Sequence, residues 1–329
     1  MPLRRSRRAE LPPTVSPEAG VAASQAMNKR HRWPMTPWLT KWNRGRGRAD
    51  RDRALALTQR ELAVTTEDRV AGGTPYLLIR SQRFDWQGSA EGGEPWVFYI
   101  HGGSFCWGTA RDSTAMQLAG ALGVEVASIE YTLSPEARFP VAIDECVAAY
   151  RALVAERGPR VLLAGVSAGG NLALGVLQRL LAEPHATPLP AAVLACTPWG
   201  DLTGSGDSYR ANEGRDAYIR WKGQQDIFAR AYLGAASPTD PLASPVHATW
   251  EGGLPPVMLT TGTRDLFLSD VVRIWWRMHD AGTDVELRIW EGLWHSFMSD
   301  RRLPESEQAL AEITAFASTH LALTEPARR

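Results

Sequence analysis

Apolar runs of strand length alternate with helical patterns along most of the chain from about Val70 onward. The runs that predict strands are Thr74–Arg80, Trp96–Ile100, Val124–Tyr131, Val161–Val166, Ala191–Cys196, Val257–Thr261 and Val285–Trp290. The patterns that predict helices are Ala115–Leu122, Val141–Glu156, Asn171–Leu180, Ser269–Ala281 and Glu305–His320. Alternation of this kind is typical of an α/β protein with a parallel, doubly wound sheet.

Two stretches depart from this alternation. Residues 1–25 are rich in Arg, Pro and Ala without any period, which predicts a disordered basic leader. Residues 26–70 carry Trp33, Trp38 and Trp42, followed by a helical stretch near Ala49–Leu62. Three tryptophans so close together must cover apolar surface, either by packing on the main domain or as a lid over a substrate cleft. The second departure, from Pro198 to about Val246, has no sheet pattern.

The composition is that of an ordinary globular protein. The chain has 329 residues, of which 44% are hydrophobic and 22% charged, and its net charge is zero. The charge is uneven, since residues 1–60 hold 14 Lys and Arg against 4 Asp and Glu. We interpret the basic start as a leader with solvated helix faces, and we expect no nucleic-acid partner.

The cysteines and the lengths of the apolar segments indicate the cellular compartment. Cys106, Cys146 and Cys196 lie in or beside apolar segments without metal-ligand spacing, which indicates buried thiols and no disulfide framework. No window approaches the roughly 18 apolar residues of a membrane span. The basic residues at the start are followed by Glu10 and prolines where a signal peptide is apolar. We therefore expect a cytoplasmic protein.

A candidate nucleophile follows the strand Val161–Val166. Gly165, Ser167 and Gly169 form a Gly-x-Ser-x-Gly pattern between a buried strand and a helix. In this context the turn presents one serine hydroxyl at the carboxyl end of the strand, and the glycines remove Cβ atoms that would clash. The alternative is a glycine-rich turn that serves packing or phosphate binding.

The loops after the later strands supply an acid and a base. Ligands collect at the carboxyl ends of parallel strands, and Asp265 and His295 each follow one. A neutral histidine can take the proton of Ser167 when a carboxylate fixes its tautomer. The chain order Ser, Asp, His is the one expected of an α/β-hydrolase triad. Open alternatives are Asp265 as a helix cap, His295 as an ordinary loop residue and Asp270 as the acid.

A glycine-rich loop after Trp96–Ile100 completes the candidate site. The N–H groups of Gly102, Gly103 and Ser104, together with that of Ala168, are placed to bind the oxyanion of a tetrahedral intermediate. His101 precedes this loop, and we expect its role to be structural and not catalytic. The alternative is a tight turn without a role in catalysis.

With these residues in place, the sequence resembles the hormone-sensitive-lipase-like branch of α/β-hydrolase esterases. The resemblance covers about Glu94 to Phe316 and is carried by motifs in family order, namely His101–Phe105, Tyr131–Glu136, Phe139–Glu145, Gly165–Asn171, Thr197–Thr203, Asp240–Pro245, Gly262–Asp265 and His295–Phe297. It implies an α/β-hydrolase fold over residues 71–329, with a helical cap built from residues 26–70 and a second segment at about 200–246. The family often has a third glycine where Ser104 stands, and usually an acid where Val166 stands.

The sequence thus predicts a serine hydrolase that cleaves carboxylic esters of small to medium acyl chain without a metal or organic cofactor. Its partner is a small-molecule ester or lactone. Alternatives are a lactone or amide hydrolase with the same triad, and a non-catalytic ligand-binding protein on this fold. A homodimer is implied by the resemblance. Candidate walls of the substrate pocket are the aromatic residues Trp38, Trp107, Trp199, Trp294 and Phe297.

Overall fold

Eight strands form one open sheet in the order β1-β2-β4-β3-β5-β6-β7-β8. The structure is a computed structural model that describes residues 11–29, 44, 48–82, 93–183, 186–251 and 253–323. The strands are β1 (Val64–Ala71), β2 (Thr74–Ser81), β3 (Trp96–Ile100), β4 (Glu125–Ile129), β5 (Val161–Val166), β6 (Ala192–Cys196), β7 (Val257–Gly262) and β8 (Val285–Trp290). The first two strands pair antiparallel and β2 pairs antiparallel with β4, whereas every pairing from β4 to β8 is parallel.

Helices connect the strands and cover both faces of the sheet. They are α1 (Pro17–Lys29), α2 (Arg48–Glu61), α3 (Ser113–Leu122), α4 (Val141–Arg157), α5 (Ala168–Ala182), α6 (Ser208–Ala211), α7 (Asp226–Leu233), α8 (Leu268–Asp280) and α9 (Pro304–His320). This mostly parallel sheet flanked by helices is the fold class that the alternation predicts, and the prediction is confirmed.

The central strand β5 shows how the sheet separates two hydrophobic cores. Its side chains alternate between the faces, as in any strand. Val161 and Leu163 enter the core that contains α4 and α8. Leu162 and Ala164 enter the opposite core, to which α9 contributes Ile313. Because both faces are covered, all six residues of β5 are buried, and the strand is a continuous apolar run.

The structure corrects the prediction for the start of the chain. Disorder was expected through residue 25, but Pro17–Lys29 is helical and buries Ala19 and Ala23. Ser16 caps this helix by accepting the Ala19 N–H at 3.1 Å. The Ser16 N–H and hydroxyl also donate to the two carboxylate oxygens of Glu305 in α9, at 2.7 and 2.9 Å. The helix is therefore held against the sheet-flanking helix that ends the fold.

The main domain also begins earlier in the chain than predicted. Residues 64–70 were assigned to a cap, yet they belong to β1, which pairs with β2 along its whole length. The helix predicted near Ala49–Leu62 is present as α2, which packs on α3. Trp33, Trp38 and Trp42 lie outside the described residues, so their role stays a prediction.

The segment between β6 and β7 interrupts the alternation as expected. It contains the short helix α6, a distorted turn at Trp221–Gln225, α7 and a 3-10 turn at Pro245–His247. Phe105 of the loop after β3 stacks on Tyr232 of α7 with ring centroids 3.8 Å apart. This segment therefore packs directly on loops at the carboxyl edge of the sheet, where the candidate site lies.

Candidate active site

Ser167 occupies a sharp turn between β5 and α5. Its backbone has φ 58° and ψ −121°, a conformation rare for a residue with a side chain. The turn is held by the Ser167 N–H, which donates to the Cys196 carbonyl at 2.9 Å. The Ser167 carbonyl accepts the N–H groups of Asn171 and Trp199. Such strain is retained where surrounding bonds fix it, and here it places the serine at the end of a buried strand.

Two glycines make this turn possible. A Cβ atom on Gly165 would lie 2.2 Å from the Gly169 carbonyl oxygen. A Cβ atom on Gly169 would lie 2.0 Å from the carbonyl oxygen of Ile100 in the neighbouring strand. Both distances are far inside van der Waals contact, and both contacts are to backbone atoms, which can move only if the strand or the helix shifts. The Gly-x-Ser-x-Gly spacing is therefore a steric requirement of the turn.

The three residues expected to form a triad meet in the structure. His295 Nε2 lies 2.8 Å from Ser167 Oγ, and His295 Nδ1 lies 3.1 Å from Asp265 Oδ1. An ionised carboxylate only accepts hydrogen bonds, so Nδ1 of the neutral ring carries the proton and Nε2 is left to accept the serine hydroxyl. Asp265 is completely buried and His295 nearly so. The line of atoms is that of a nucleophile, a base and an orienting acid.

The carboxylate of Asp265 is fixed by two further bonds. Its Oδ1 accepts the Phe267 N–H at 2.9 Å, and its Oδ2 accepts the Thr261 hydroxyl at 3.0 Å. The Phe267 ring also meets the His295 ring edge to face, with centroids 4.8 Å apart. Asp265 thus orders the turn before α8 while one oxygen still reaches the histidine. The N-cap position of that helix is occupied by Phe267, not by Asp265.

The alternative acid, Asp270, belongs to a different network. One of its carboxylate oxygens accepts the Tyr209 hydroxyl at 2.7 Å and the Asp201 N–H at 3.0 Å. Burial, reinforced by the charge of Asp201, raises the pKa of Asp270 well above its usual range. Within the described part of the chain it makes no hydrogen bond to His295. Of the two candidate acids, it is Asp265 that contacts His295.

The loop after β3 lies against the serine. A Cβ atom on Gly102 would lie 3.2 Å from Ser167 Cβ. Ser104 and Phe105 both have positive φ, at 53° and 60°. The N–H groups of Gly103 and Ser104 meet no hydrogen-bond acceptor among the described residues. The first N–H groups of a helix lack an intrahelical acceptor, and that of Ala168, at the start of α5, likewise meets no acceptor in the described part of the chain.

His101 braces this loop from below. Its ring stacks on Tyr131 with centroids 4.3 Å apart, and its Nδ1–H donates to the Gly102 carbonyl at 2.7 Å. Burial lowers the pKa of His101, so the ring stays neutral where it packs. Arg44 reaches the same region, where its guanidinium donates to the Cys106 carbonyl at 2.8 Å and pairs with Glu136.

The aromatic residues expected to line the substrate pocket differ in their exposure. Trp199, Trp294 and Phe297 have almost no exposed surface and pack as core side chains, so here they do not line an open pocket. Trp199, for example, stacks on Phe267 with centroids 5.2 Å apart. Trp107 is half-buried and meets Phe228 of α7 edge to face, so it remains a candidate wall. Trp38 lies outside the described residues.

Val166 stands where the resembling family usually has an acid. Its side chain lines an internal cavity of about 20 Å³ on the face of the sheet covered by α3 and α9. Gln117 lines the same cavity, and its buried Nε2 has no hydrogen-bond partner in the described residues. A cavity of this size has room for one water molecule.

Two residues close to the triad are absent from the sequence-based prediction. Asn212 and Asp216 lie in the segment between β6 and β7. Asn212 bonds to the loop that carries Asp265, and Asp216 bonds to that loop and to the loop that carries His295. Neither follows a strand, so the rule that located the other groups cannot find them. A polar side chain in an irregular segment carries no periodic signal of its burial.

Comparison with known proteins assigns the class and then the branch. Residues 97–299 match the model of a family described as having the alpha/beta hydrolase fold, and the chain belongs to that family. Within it, the chain belongs to the hormone-sensitive-lipase-like branch of esterases. It is similar to a solved esterase of the bacterial hormone-sensitive lipase family, with 29% identity, a TM-score of 0.78 and coverage of 93% of this chain and 99% of that one.

The names of similar proteins agree with this assignment. The chain is 34% identical to an acetyl-hydrolase of Streptomyces hygroscopicus over 228 residues, which span 68% of this chain and 75% of the relative. It is 31% identical to an esterase of Acinetobacter venetianus, over 68% of this chain and 74% of that protein. The protein is thus an esterase- or lipase-type hydrolase. In the described residues, no helix is both long and apolar enough to cross a membrane.

Proposed function

We propose that the protein hydrolyses carboxylic esters of short to medium acyl chain through an acyl-enzyme formed on Ser167. The observation that carries this proposal is the continuous contact from Ser167 Oγ through the His295 ring to Asp265, at 2.8 and 3.1 Å. The name of the Streptomyces hygroscopicus relative, an acetyl-hydrolase, supports short acyl groups such as acetate.

The reaction begins with attack of Ser167 Oγ on the ester carbonyl carbon while His295 Nε2 takes the hydroxyl proton. The negative oxygen that forms is bound by the N–H groups of Gly103, Ser104 and Ala168, and the N–H of Gly102 lies in the same loop. Each such donor increases the rate by a factor on the order of 10²–10³. The tetrahedral intermediate collapses, the carbon–oxygen bond to the alcohol breaks, and Nε2 returns the proton to the leaving oxygen. The acyl group is then an ester of Ser167.

Water completes the cycle by the same route. It attacks the acyl carbonyl while His295 Nε2 takes one of its protons, and the proton passes to Ser167 Oγ as the carboxylic acid leaves. Asp265 stabilises the positive ring in both halves of the reaction. No step uses a metal or an organic cofactor.

The test is hydrolysis of p-nitrophenyl acetate, butyrate and octanoate by the wild-type protein and by Ser167→Ala. We expect the variant to lose at least about 10³-fold in kcat/KM, since the nucleophile is gone. Ser237→Ala, which changes an exposed serine far along the chain, is the matched control and should keep the wild-type rate. Undiminished turnover by Ser167→Ala would refute the proposal.

Two further measurements separate the alternatives. A fluorophosphonate probe should label the wild-type protein and not Ser167→Ala; absence of labelling in the wild type would favour a non-catalytic ligand-binding protein. A panel of esters, lactones and anilides at equal concentration ranks the substrate classes open to the same nucleophile. The homodimer and the cytoplasmic location stay predictions, to be measured by light scattering and by cell fractionation.

A further inference from the structure

Asp216 is a buried carboxylate that touches both loops of the proposed triad. Its Oδ2 accepts the N–H of Leu266, next to the triad acid, at 3.0 Å, and the N–H of His295 itself at 3.2 Å. Its Oδ1 accepts the N–H groups of Tyr218 and Ile219 at 2.8 and 3.0 Å. The side chain is completely buried. One carboxylate thus joins the acid loop, the base loop and the segment between β6 and β7.

Asn212, one turn earlier, holds the acid loop in a second place. Its side-chain amide donates to the carbonyl of Asp265 at 2.8 Å and to that of Thr263 at 3.1 Å. The Asn212 carbonyl in turn accepts the Asp216 N–H at 3.1 Å. Asn212 is nearly as buried as Asp216 but carries no charge. Substitution of Asn212 therefore tests the effect of geometry alone, whereas substitution of Asp216 also removes a negative charge.

The charge of Asp216 lies close to His295, because its Oδ2 accepts the backbone N–H of that residue. Burial, followed by the neighbouring charge of Asp265, raises the pKa of Asp216 to about 6, and a positive His295 ring acts in the opposite direction. Asp265 and His295 are the charged groups that act most strongly on it. A carboxylate so placed is stabilised by an imidazolium beside it, and by reciprocity it stabilises that imidazolium.

We propose that Asp216 is a positioning residue for ester hydrolysis, which fixes the spacing of the Asp265 and His295 loops and favours the positive His295 ring. This role rests on the proposed function, because it acts through the triad. Displacement of a reacting group by about 1 Å is enough to cost on the order of 10²-fold in rate. The segment between β6 and β7 then contributes to catalysis through Asp216, which does not touch the substrate.

The test compares three variants in p-nitrophenyl acetate hydrolysis across pH 4–9. Asp216→Asn should lower kcat by about 10- to 100-fold with KM within a few-fold of wild type. It should also move the acid limb of kcat/KM to lower pH, because the protonated ring loses a stabilising charge. Asn212→Ala should lower kcat and leave the acid limb in place. Asp270→Asn, a buried carboxylate of the other network, should leave the acid limb in place.

Asp216→Glu is a second variant at this position, which keeps the test decisive if Asp216→Asn does not fold. It keeps the charge and displaces it, so kcat should fall while the acid limb stays with that of the wild type. Wild-type kcat in Asp216→Asn, or a fall in kcat without a shift of its acid limb, would overturn the inference. These results leave the proposed function standing, since that fails only when wild type and Ser167→Ala hydrolyse the ester equally.

Discussion

Gly169 carries the tightest steric requirement of the turn that presents Ser167. A Cβ atom there would lie 2.0 Å from the Ile100 carbonyl oxygen, so the helix or the strand must shift to admit a methyl group. We expect Gly169→Ala to lower the free energy of unfolding by about 3 kcal/mol or more, measured by urea denaturation.

The matched control for that variant is Gly20→Ala in α1. No heavy atom lies within 4 Å of a Cβ built on Gly20, and the residue is within a regular helix. This substitution should raise the free energy of unfolding by about 0.5–1 kcal/mol, because it restricts the unfolded chain. A Gly169→Ala protein that unfolds within about 1 kcal/mol of wild type would contradict the steric account.

Asp265 is the residue whose charge and geometry decide the tautomer of His295. Asparagine in its place has similar shape, but its amide can donate to Nδ1 and so favour the ring form with the proton on Nε2, which cannot accept the serine proton. We expect Asp265→Asn to lower kcat by about 10³- to 10⁴-fold with little change in KM. We also expect a lower unfolding temperature, because the amide that donates to Nδ1 no longer accepts the buried Phe267 N–H. Steady-state kinetics and a thermal melt check both points, and a kcat within tenfold of wild type would exclude Asp265 as the orienting acid.

At the scale of elements, α1 is held to the fold by a specific contact with α9. Ser16 donates two hydrogen bonds to the buried carboxylate of Glu305. Removal of that carboxylate leaves the Ser16 donors without their partner and loosens the start of α1. Glu305→Ala should lower the free energy of unfolding by about 1–3 kcal/mol, measured by urea denaturation.

Glu307 supplies the matched control for Glu305. It lies in the same first turn of α9 and is exposed, so both glutamates have the same relation to the helix dipole. Glu307→Ala should change the free energy of unfolding by about 0.5 kcal/mol or less. Equal losses from the two substitutions would show that the Ser16 contact contributes nothing beyond the helix dipole.

Elements that carry an apolar run were predictable from the sequence, and elements without such a run were not. The buried strands β3 and β5 and the partly buried strand β8 have the bounds that their apolar runs predict. By contrast β1 is an edge strand with mostly exposed positions and a polar sequence, so no alternation marks it. Helix α1 buries only small alanines, whose weak apolar signal is lost among the arginines and prolines around it.

The residues of the candidate site also differ in whether the sequence predicts their position. Ser167, Asp265 and His295 each follow a strand of the parallel part of the sheet, and the topology of a parallel sheet then brings the ends of strands to one edge. Asp216 reaches that edge from an irregular segment, whose path depends on tertiary contacts such as the Tyr218–Trp294 ring pair. Sequence spacing contains no information about such a path.

At the scale of the whole molecule, two buried carboxylates that bond to the segment between β6 and β7 have pKa values shifted in opposite directions. Burial raises the pKa of Asp270 well above its usual range. Burial also acts to raise the pKa of Asp201, but hydrogen bonds from Ser205, Thr203 and Arg273 outweigh it, and the pKa is lowered. The two residues lie in one network, since the Asp201 N–H donates to Asp270.

Linkage fixes the sign of each contribution to stability. Folded Asp270 keeps a proton that the unfolded chain releases above about pH 4, so this residue costs the folded state more as pH rises from 4 toward 7. Folded Asp201 is ionised where the unfolded residue begins to protonate, so its contribution is present above about pH 4 and is lost as pH falls below that value. Each unit of pKa difference corresponds to about 1.4 kcal/mol.

The unfolding free energies of Asp270→Asn and Asp201→Asn, each taken relative to wild type, should therefore slope in opposite directions. The Asp270→Asn difference should become more favourable as pH rises from 4 to 7, whatever constant cost the amide brings. The Asp201→Asn difference should become less unfavourable as pH falls from 4 to 3, because the wild type then loses the Arg273 ion pair that the variant never had. Urea denaturation at each pH measures both. A flat Asp270→Asn difference between pH 4 and 7 would mean that the folded protein holds this carboxyl ionised, and that its hydrogen bonds from Tyr209 and the backbone outweigh burial.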